Sequence, residues 1–353
     1  MYPSLHIFLD RIKENAVKLN STLSDDRIEI MGVTKVMSGH PYYARVLIDS
    51  GINVLGDSRI QNIYRLRKGG IKEKIYQIRS PMISESRLSV KYTDGAIITE
   101  YDVAKSLSVH AREMNKRYSI IVMVEMGDLR EGVLKENIVD FFKKISFLPN
   151  LNIEGIAMNL GCFGGIKPTS KKLKDFLDVG RILEENGFNL TTLSGGATDT
   201  LILHEQGLLG GINQLRIGEA IALGRDTTND RVIGYLRQDA FIVEGEIIEI
   251  DEKPTLPEGE IGKDAYGKIP VFKDSGKIKR AILAMGKHDV EFDALIPIDD
   301  IRILGGSGDH LILDIGEIKR DLKVGDRIQF YPLYPSLLQL MESRYVRKVF
   351  HNL

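Results

Sequence analysis

The first 225 residues alternate short apolar runs with helical patterns, and this alternation limits the possible folds more than any other feature. Most intervals between the apolar runs carry apolar residues spaced three or four apart, which is typical of amphipathic helices. The predicted strands are residues 29–35, 53–56, 74–78, 95–99, 119–125, 153–159, 189–193 and 214–217. Strands that alternate with helices form βαβ units and a parallel sheet. Eight such units in this length predict a (β/α)₈ TIM barrel.

A doubly wound open sheet is the main alternative to the barrel. No Gly-x-Gly-x-x-Gly follows an early strand, which disfavours the dinucleotide-binding version of that fold. After about residue 230 the pattern changes to short runs of alternating apolar and polar residues, separated by Gly and Pro. Such runs are typical of antiparallel strands. We therefore predict a barrel over residues 1–230 and a β-rich C-terminal domain over residues 231–353.

Composition and charge exclude several classes of function. The formal net charge is −1, so nothing indicates a surface for nucleic acid or an anionic membrane. Cys162 is the only cysteine, which rules out an intramolecular disulfide and a cysteine-based metal cage. Residues 2–20 mix charged and apolar side chains and resemble neither a signal peptide nor a transmembrane span. We expect a cytoplasmic protein without nucleic-acid or membrane partners.

Lys35 stands at the end of the first predicted barrel strand. The mostly apolar residues 28–36 indicate a strand that is covered on both faces. Functional groups of parallel barrels lie at the C-terminal ends of the strands. Burial there disfavours an ammonium group and leaves a free amine that can act as nucleophile or base. This stretch alone favours a solvated lysine just past a strand end, and the rest of the sequence is needed to indicate a functional one.

The last two predicted barrel strands end in residues that suit an anion. Strand seven runs into Ser194, Gly195 and Gly196, and small residues before a helix can form a nest of backbone N–H groups. The loops after strands seven and eight are where barrels often bind phosphate. Arg216 ends strand eight, and Gly218 allows close approach of the backbone. A plain tight turn and an ion-paired arginine remain the alternatives for these residues.

Taken together, these features resemble the alanine racemase-like, fold-type III pyridoxal phosphate enzymes, and most closely the ornithine racemase type of amino-acid racemase. The resemblance rests on residues 33–36 (Val-Thr-Lys-Val), 47–62 (from Leu-Ile-Asp to Ile-Gln-Asn) and 159–164 (Asn-Leu-Gly-Cys-Phe-Gly). It implies pyridoxal 5'-phosphate as cofactor, no metal, and racemisation of ornithine or another basic amino acid. It also implies a homodimer with shared active sites, because the β domain of this family reaches the neighbouring subunit's site.

The resemblance implies a role for each cofactor-binding residue. Lys35 would bind the cofactor covalently, and Arg130 matches an arginine beside the cofactor's ring hydroxyl, with a surface arginine as the alternative. Arg216 would face the pyridine nitrogen. Since a guanidinium only donates hydrogen bonds, that nitrogen would stay unprotonated and the ring would favour simple return of a proton to Cα. The phosphate would be held by Ser194 and by groups around Gly195, Gly196, Gly218 and Glu219, with Tyr345 as a further candidate.

The sequence departs from the family at two places. Asn159 stands where alanine racemases have a histidine against the cofactor ring, and residues 284–289 (Ala-Met-Gly-Lys-His-Asp) lack the tyrosine that serves as second catalytic base. A racemase needs an acid/base group on each face of Cα. Lys35 would serve one face, and Lys287 and His288 are the candidates for the other. The aligned position favours Lys287, whereas an imidazole, which titrates near neutral pH, favours His288.

Asp309 and Tyr266 align with family segments near the site entrance. We interpret Asp309 as a candidate substrate contact and Tyr266 as structural. The alternative functions are a non-catalytic pyridoxal phosphate-binding protein, a lyase that uses the same cofactor, and a cofactor-free Schiff-base aldolase. The β domain disfavours the first of these, and the absence of a His and Cys pair in that domain disfavours a metal-assisted lyase.

Overall fold

The computed structural model describes residues 2–352 and divides the chain into two compact units. One unit is Asp10–Gln238, and the other combines the chain up to Leu9 with the chain from Asp239 onward. Sequence analysis placed the boundary after residue 230 and gave the N-terminal residues to the barrel. Those residues belong to the second unit because strand Ser4–Phe8 pairs with strands Phe241–Pro254 and Arg347–His351. The predicted division into domains at residue 230 stays a prediction.

The elements are numbered in chain order. The strands are β1 (Ser4–Phe8), β2 (Glu29–Val33), β3 (Val54–Asp57), β4 (Lys74–Gln77), β5 (Gly95–Ile98), β6 (Tyr118–Val124), β7 (Leu151–Met158), β8 (Thr192–Ser194), β9 (Gln214–Ile217), β10 (Arg225–Asp226), β11 (Arg231–Val232), β12 (Phe241–Pro254), β13 (Lys277–Leu283), β14 (Leu295–Pro297), β15 (Arg302–Gly306), β16 (Leu311–Asp314), β17 (Arg327–Pro332) and β18 (Arg347–His351). The α-helices are α1 (Leu9–Asp25), α2 (Pro41–Asp49), α3 (Ile60–Lys68), α4 (Ser86–Tyr92), α5 (Tyr101–Glu113), α6 (Ile138–Ser146), α7 (Ser170–Glu185), α8 (Leu201–Glu205), α9 (Glu219–Leu223) and α10 (Tyr334–Glu342). Short 3₁₀ helices cover Lys35–Met37, Ile83–Glu85, Lys135–Asn137, Thr198–Thr200 and Phe292–Ala294.

Strands β2 to β9 close into a parallel barrel in which β9 pairs with β2. This confirms the predicted (β/α)₈ architecture. Side chains from successive strands form one buried apolar cluster, so the barrel is a packed core and not a pore. The cluster consists of Met31, Val54, Tyr76, Ile97, Ile121, Met123 and Ala157.

The second unit is built on an eight-stranded sheet, which confirms the predicted β-rich C-terminal fold. Its strand order is β14-β17-β12-β13-β16-β15, and these neighbours run antiparallel. Strand β1 adds to this sheet by pairing antiparallel with β12 and parallel with β18. Between residues 2 and 352, no helix has the length and apolar character to span a bilayer.

Candidate active site

Four of the predicted site residues lie at the carboxyl ends of barrel strands. Lys35 begins the turn that follows β2, Asn159 follows β7, Ser194 ends β8 and Arg216 lies in β9. Strands β8 and β9, which carry Ser194 and Arg216, are neighbours. Strand β9 also pairs with β2, and Met31 of β2 lies opposite Arg216 in that pairing. Because the carboxyl ends of parallel barrel strands meet at one end, these side chains belong to the same mouth.

Arg216 is a buried cation whose donors are held in fixed directions. Its Nη1 donates to Ser194 Oγ at 2.7 Å, and its Nη2 donates to Met158 O at 2.5 Å. The residue is only 5% exposed. Burial lowers the pKa of Arg216 to about 10, so the guanidinium still carries its charge at neutral pH. The barrel therefore presents a permanent hydrogen-bond donor at this end.

The turn after β8 is tight and tied into the barrel. The Gly195 N–H donates to Gln214 O at 2.9 Å, and Ser194 Oγ lies against the Arg216 guanidinium. Gly196 has a φ of 119°, where a side chain is strained, and a Cβ there would lie 2.2 Å from Thr200 Oγ1. Since Ser194 Oγ and the Gly195 N–H already have partners in the barrel, their assignment as phosphate ligands stays a prediction.

Thr198 is a buried residue at this end of the barrel that sequence analysis did not assign to the site. Its Oγ1 accepts a hydrogen bond from Ala220 N at 3.2 Å and so joins the turn after β8 to α9, which follows β9. Thr198 opens a 3₁₀ helix, and Glu219 opens α9 directly after Gly218. A Cβ at Gly218 would lie 3.0 Å from Val33 Cβ, so glycine suits this close approach to β2. The only sequence signal for Thr198 was its position in the Ser-Gly-Gly-Ala-Thr segment.

Acidic side chains brace the loops around this mouth. Asp199 accepts hydrogen bonds from Gly161 N at 3.1 Å and from Ala197 N at 3.2 Å, which links the loop after β7 to the turn after β8. Glu219 accepts from the backbone N–H and the hydroxyl of Thr227. Burial raises the pKa of Asp199 and of Glu219. The Glu219 side chain thus holds the segment after α9. The part of Glu219 that is predicted to face a cofactor is its backbone.

Asp57 anchors the turn that carries Lys35. Its carboxylate is fully buried and accepts hydrogen bonds from Thr34 Oγ1 at 2.7 Å, Asn62 Nδ2 at 3.0 Å and Arg59 N at 3.0 Å. Burial raises the pKa of Asp57, and the nearby charge of Lys35 opposes that effect. The end of β2 is therefore fixed to the segment between β3 and α3. Asp57, Arg59 and Asn62 all belong to residues 47–62, one of the segments on which the family resemblance rests.

Replacing Asp57 with alanine should destabilise the barrel unit. The change leaves three donors without their acceptor, and a buried unsatisfied group costs about 1–3 kcal/mol. We expect a clearly lower free energy of unfolding in urea, with little change for the matched variant Asp49→Ala, whose side chain is exposed on α2. Equal stability of the two variants would show that the Asp57 carboxylate does not hold this turn.

Asn159 is oriented by a buried carboxylate. Its Nδ2 donates to Asp128 Oδ2 at 2.8 Å, and its Oδ1 accepts from Cys162 Sγ at 3.3 Å. Asp128 also accepts from the backbone N–H groups of Phe163 and Gly164. The amide of Asn159 therefore has one defined orientation at the mouth, where the sequence predicted a cofactor contact.

Arg130 lies on the loop after β6 and pairs with the adjacent Glu131. Its positive charge is close enough to act on the pKa of Arg216, although burial is the main cause of the shift at Arg216. The structure therefore brings Arg130 to the same end of the barrel. Its contact with a cofactor hydroxyl stays a prediction.

The remaining predicted site residues belong to the β-sheet unit. Lys287 and His288 follow β13, and Asp309 lies between β15 and β16. Lys287 Nζ lies 3.8 Å from the centroid of the Tyr266 ring, and His288 Nδ1 lies 3.4 Å from Asp309 Oδ1. The structure thus brings together the four residues that sequence analysis had considered separately.

Tyr345 lies just before β18. Its side chain is 60% exposed, and its hydroxyl accepts a hydrogen bond from Arg344 Nη2 at 3.0 Å. Its assignment as a phosphate ligand stays a prediction.

Known proteins similar to this chain match both its sequence and its fold. Residues 7–226 match the family model described as alanine racemase, N-terminal domain. The chain is 45% identical to a lysine racemase from Thermotoga maritima and 38% identical to an ornithine racemase from Acetoanaerobium sticklandii, with 99% of each chain covered in both comparisons. An alanine racemase structure from Clostridium difficile 630 has a TM-score of 0.76 at 19% identity and covers 99% of this chain and 96% of its own.

A structure of D-threonine aldolase from Filomicrobium marinum has a TM-score of 0.74 at 15% identity and covers 96% of this chain and 90% of its own. At such low identity, this likeness and that to the alanine racemase structure concern the fold alone. The family assignment therefore rests on the domain match and on the full-length similarity to the two racemases. The chain belongs to the alanine racemase family and is an amino-acid racemase.

Proposed function

We propose that this racemase interconverts the enantiomers of lysine and ornithine with pyridoxal 5'-phosphate as cofactor. The substrate class is supported by the names of the two relatives that align over 99% of the chain. The cofactor is supported by the family and by the arrangement of Lys35, Arg216 and the turn after β8. The proposal rests mainly on the buried Arg216. Its guanidinium donates to Ser194 and Met158, and its strand β9 pairs with β2, the strand that precedes Lys35.

The residues at the barrel mouth fit pyridoxal 5'-phosphate in kind and in order. Lys35 supplies a primary amine for its aldehyde, and Arg216 supplies a donor for its ring nitrogen. The turn that contains Thr198 and the start of α9 supply backbone groups for its phosphate, in the loops where barrels commonly bind one. When bound, the cofactor supplies an electron sink that stabilises the charge left at Cα after its proton has gone.

The chain's own residues then have to move protons at Cα. The Lys35 amine accepts or delivers a proton at Nζ on one face of Cα. A second acid/base group has to act on the opposite face, and Lys287 and His288 stay the candidates for that role. Arg216 would leave the ring nitrogen unprotonated, because a guanidinium only donates hydrogen bonds. The charge at Cα would then be short-lived, which would favour return of a proton over transamination.

A non-catalytic role and a lyase reaction are both weaker explanations. The full-length relatives are racemases by name, and the β-sheet unit supplies acid/base side chains that a cofactor carrier would not need. Among residues 2–352, no group of three or more His, Cys, Asp or Glu is placed to hold a metal ion. We also propose a homodimer with shared active sites and a cytoplasmic location, both of which come from the sequence analysis.

A substrate screen tests the proposed function. The purified protein, loaded with pyridoxal 5'-phosphate, is incubated with single L-amino acids, and loss of optical rotation is followed together with chiral chromatography. We expect lysine and ornithine to racemise fastest and alanine to racemise slowly. A preference for alanine would contradict the substrate class alone, whereas no racemisation of any amino acid would contradict the cofactor-dependent racemase.

A further inference from the structure

We propose that Asp128 is a positioning residue, which holds the side chains expected around the cofactor ring in place before the cofactor binds. The proposal rests on the proposed function, because it concerns residues that are expected to contact that cofactor. Those residues, Arg130, Asn159 and Arg216, come from three separate segments of the barrel unit. The buried carboxylate of Asp128 joins the first two segments, and the backbone next to Asn159 holds the third.

The Asp128 carboxylate connects the loop after β6 with the loop after β7. The residue is only 2% exposed. Its Oδ1 accepts from Phe163 N at 3.1 Å and from Gly164 N at 2.8 Å, and its Oδ2 accepts from Asn159 Nδ2 at 2.8 Å. All three donors lie in the loop after β7, whereas Arg130 follows Asp128 closely in the loop after β6. A single side chain therefore ties the loop of Arg130 to the loop of Asn159.

The backbone on both sides of Asp128 adopts the left-handed region. Gly127 has a φ of 111° and Leu129 a φ of 55°, which is uncommon for a residue other than glycine. The N–H groups of both residues donate to Glu125 Oε1. A Cβ at Gly164 would lie 2.9 Å from Asp128 O, so the two loops also meet through their backbones. Strain that is held by surrounding contacts is common at functional sites, and here it directs Asp128 towards the loop after β7.

Asp128 also decides which way the Asn159 amide faces. Asn159 is 8% exposed, and the two oxygens of Asp128 both act as acceptors, so the amide nitrogen of Asn159 faces the carboxylate. The amide oxygen is turned towards Cys162, whose thiol donates to it at 3.3 Å. A cofactor ring beside Asn159 would therefore meet an amide whose donor and acceptor are in a fixed arrangement.

The peptide bond before Asn159 contacts Arg216. Met158 ends β7, and its carbonyl oxygen accepts from Arg216 Nη2 at 2.5 Å. Because this carbonyl belongs to the peptide bond that leads to Asn159, a displacement of the Asn159 backbone would also turn it. On the other side of the loop, Asp199 accepts from Gly161 N at 3.1 Å. The loop after β7 is thus held from both sides, and loosening it would reach Arg216 as well.

Preformed contacts of this kind lower the cost of binding a cofactor. The donors and acceptors described above all belong to the chain itself, so they can join the two loops in the cofactor-free protein. Binding then has fewer groups to order, and less conformational entropy is lost. The rate also depends on accurate placement, since an error of about 1 Å can cost about 10²-fold. We therefore expect Asp128 to affect both the cofactor affinity and the rate.

The substitution Asp128→Asn separates the link between the loops from the orientation of Asn159. The oxygen of the new amide can still accept from Phe163 N and Gly164 N. Its nitrogen, however, would meet Asn159 Nδ2, and two donors cannot bond to each other. The Asn159 amide should therefore turn over and present its nitrogen to Cys162. An N–H group that faces the sulfur favours the thiolate, which is the reactive form of a cysteine.

The reaction of Cys162 with an aromatic disulfide reagent measures this change in the cofactor-free protein, because Cys162 is exposed and is the only cysteine. Asp128→Asn should react several times faster than the wild type. The double variant Asp128→Asn with Asn159→Asp restores a donor opposite an acceptor, so it should react at or below the wild-type rate. The matched control Asp140→Asn changes an exposed residue of α6 and should react like the wild type. A wild-type rate in Asp128→Asn would overturn the orientation of Asn159 by Asp128.

Cofactor titration and lysine kinetics test the functional role. Asp128→Asn should unfold in urea close to the wild-type midpoint, because its three hydrogen bonds can form again once the Asn159 amide has turned. Its Kd for pyridoxal 5'-phosphate should rise by about 10- to 100-fold, the effect typical of changing a residue behind a ligand. At saturating cofactor, kcat should fall while KM for lysine changes little. Asp128→Ala loses all three contacts and should also unfold at lower urea. Wild-type Kd and kcat in Asp128→Asn would overturn the positioning role.

Failure of the proposed function would give a different result. A wild-type protein that racemised no amino acid would refute that function, and the thiol rates would still decide whether Asp128 orients Asn159. A wild-type protein that racemised lysine, together with an equally active and equally loaded Asp128→Asn, would refute the positioning role alone.

Discussion

Replacement of Lys35 by alanine should abolish racemisation and covalent binding of pyridoxal 5'-phosphate. Lys35 is the proposed amine for the cofactor's aldehyde and the proposed base for one face of Cα, so one substitution removes two functions. Borohydride reduction of the wild-type holoenzyme, followed by peptide mass spectrometry, should find the cofactor on Lys35. The same treatment of Lys35→Ala should find no modified lysine, and its racemisation should fall to background.

The matched control is Lys143→Ala, which removes an exposed lysine from α6. It should keep the wild-type label and rate. A label on any other lysine of the wild-type protein would remove Lys35 from the site. Retention of racemisation by Lys35→Ala would also contradict its role as a base.

Arg216→Glu should lose both stability and racemisation. The substitution removes the donors to Met158 O and Ser194 Oγ in a buried position, and each buried acceptor left unpaired costs about 1–3 kcal/mol. A carboxylate there would also be buried beside Met158 O, which repels it. A carboxyl group facing the pyridine nitrogen would let that nitrogen become protonated. We therefore expect slower racemisation, by about 10²-fold or more, and a larger share of transamination products.

Steady-state rates, the ratio of keto acid to D-amino acid, and urea unfolding measure these effects. Arg216→Lys is the conservative control, because it keeps the charge but loses the forked geometry that bonds both acceptors. It should be less damaged in stability and should form few transamination products. Wild-type rates and product ratios in Arg216→Glu would place Arg216 away from the ring.

The barrel and the approximate positions of its strands were predictable because their signals are local. Apolar periodicity identified each strand to within a few residues, and the position of Lys35 after the first barrel strand followed from it. The strand itself ends two residues earlier than predicted, at Val33. The reason is a long-range contact: Thr34 donates to Asp57, which lies 23 residues later in the chain. No pattern within residues 29–35 contains that information.

The phosphate end of the site and the group around His288 were harder to predict for the same reason. Ser194 was assigned to the phosphate from its position in a glycine-rich turn, which stays a prediction, and its hydrogen bond from Arg216 on the neighbouring strand was not predicted. Asp309 was assigned to the substrate, which stays a prediction, and its closeness to His288, 3.4 Å between Oδ1 and Nδ1, was not predicted. For both residues, the residue type indicated a polar role. The hydrogen-bond or ion-pair partner depends on strands that become neighbours only in the folded sheet.

The pairing of β1 sets the order in which the two units can be completed during synthesis. His6 on β1 contacts Glu244 on β12 and His351 on β18, which lie 238 and 345 residues later. At about 5–20 residues per second, a ribosome needs roughly 10 to 50 seconds to reach β12. For that time, β1 has no strand to pair with, while the whole barrel sequence emerges. Leu5 and Ile7, which are fully buried in the finished sheet, are then exposed on an unpaired edge. The nascent barrel therefore forms beside an unpaired strand that is a site for aggregation or chaperone binding until the sheet is made.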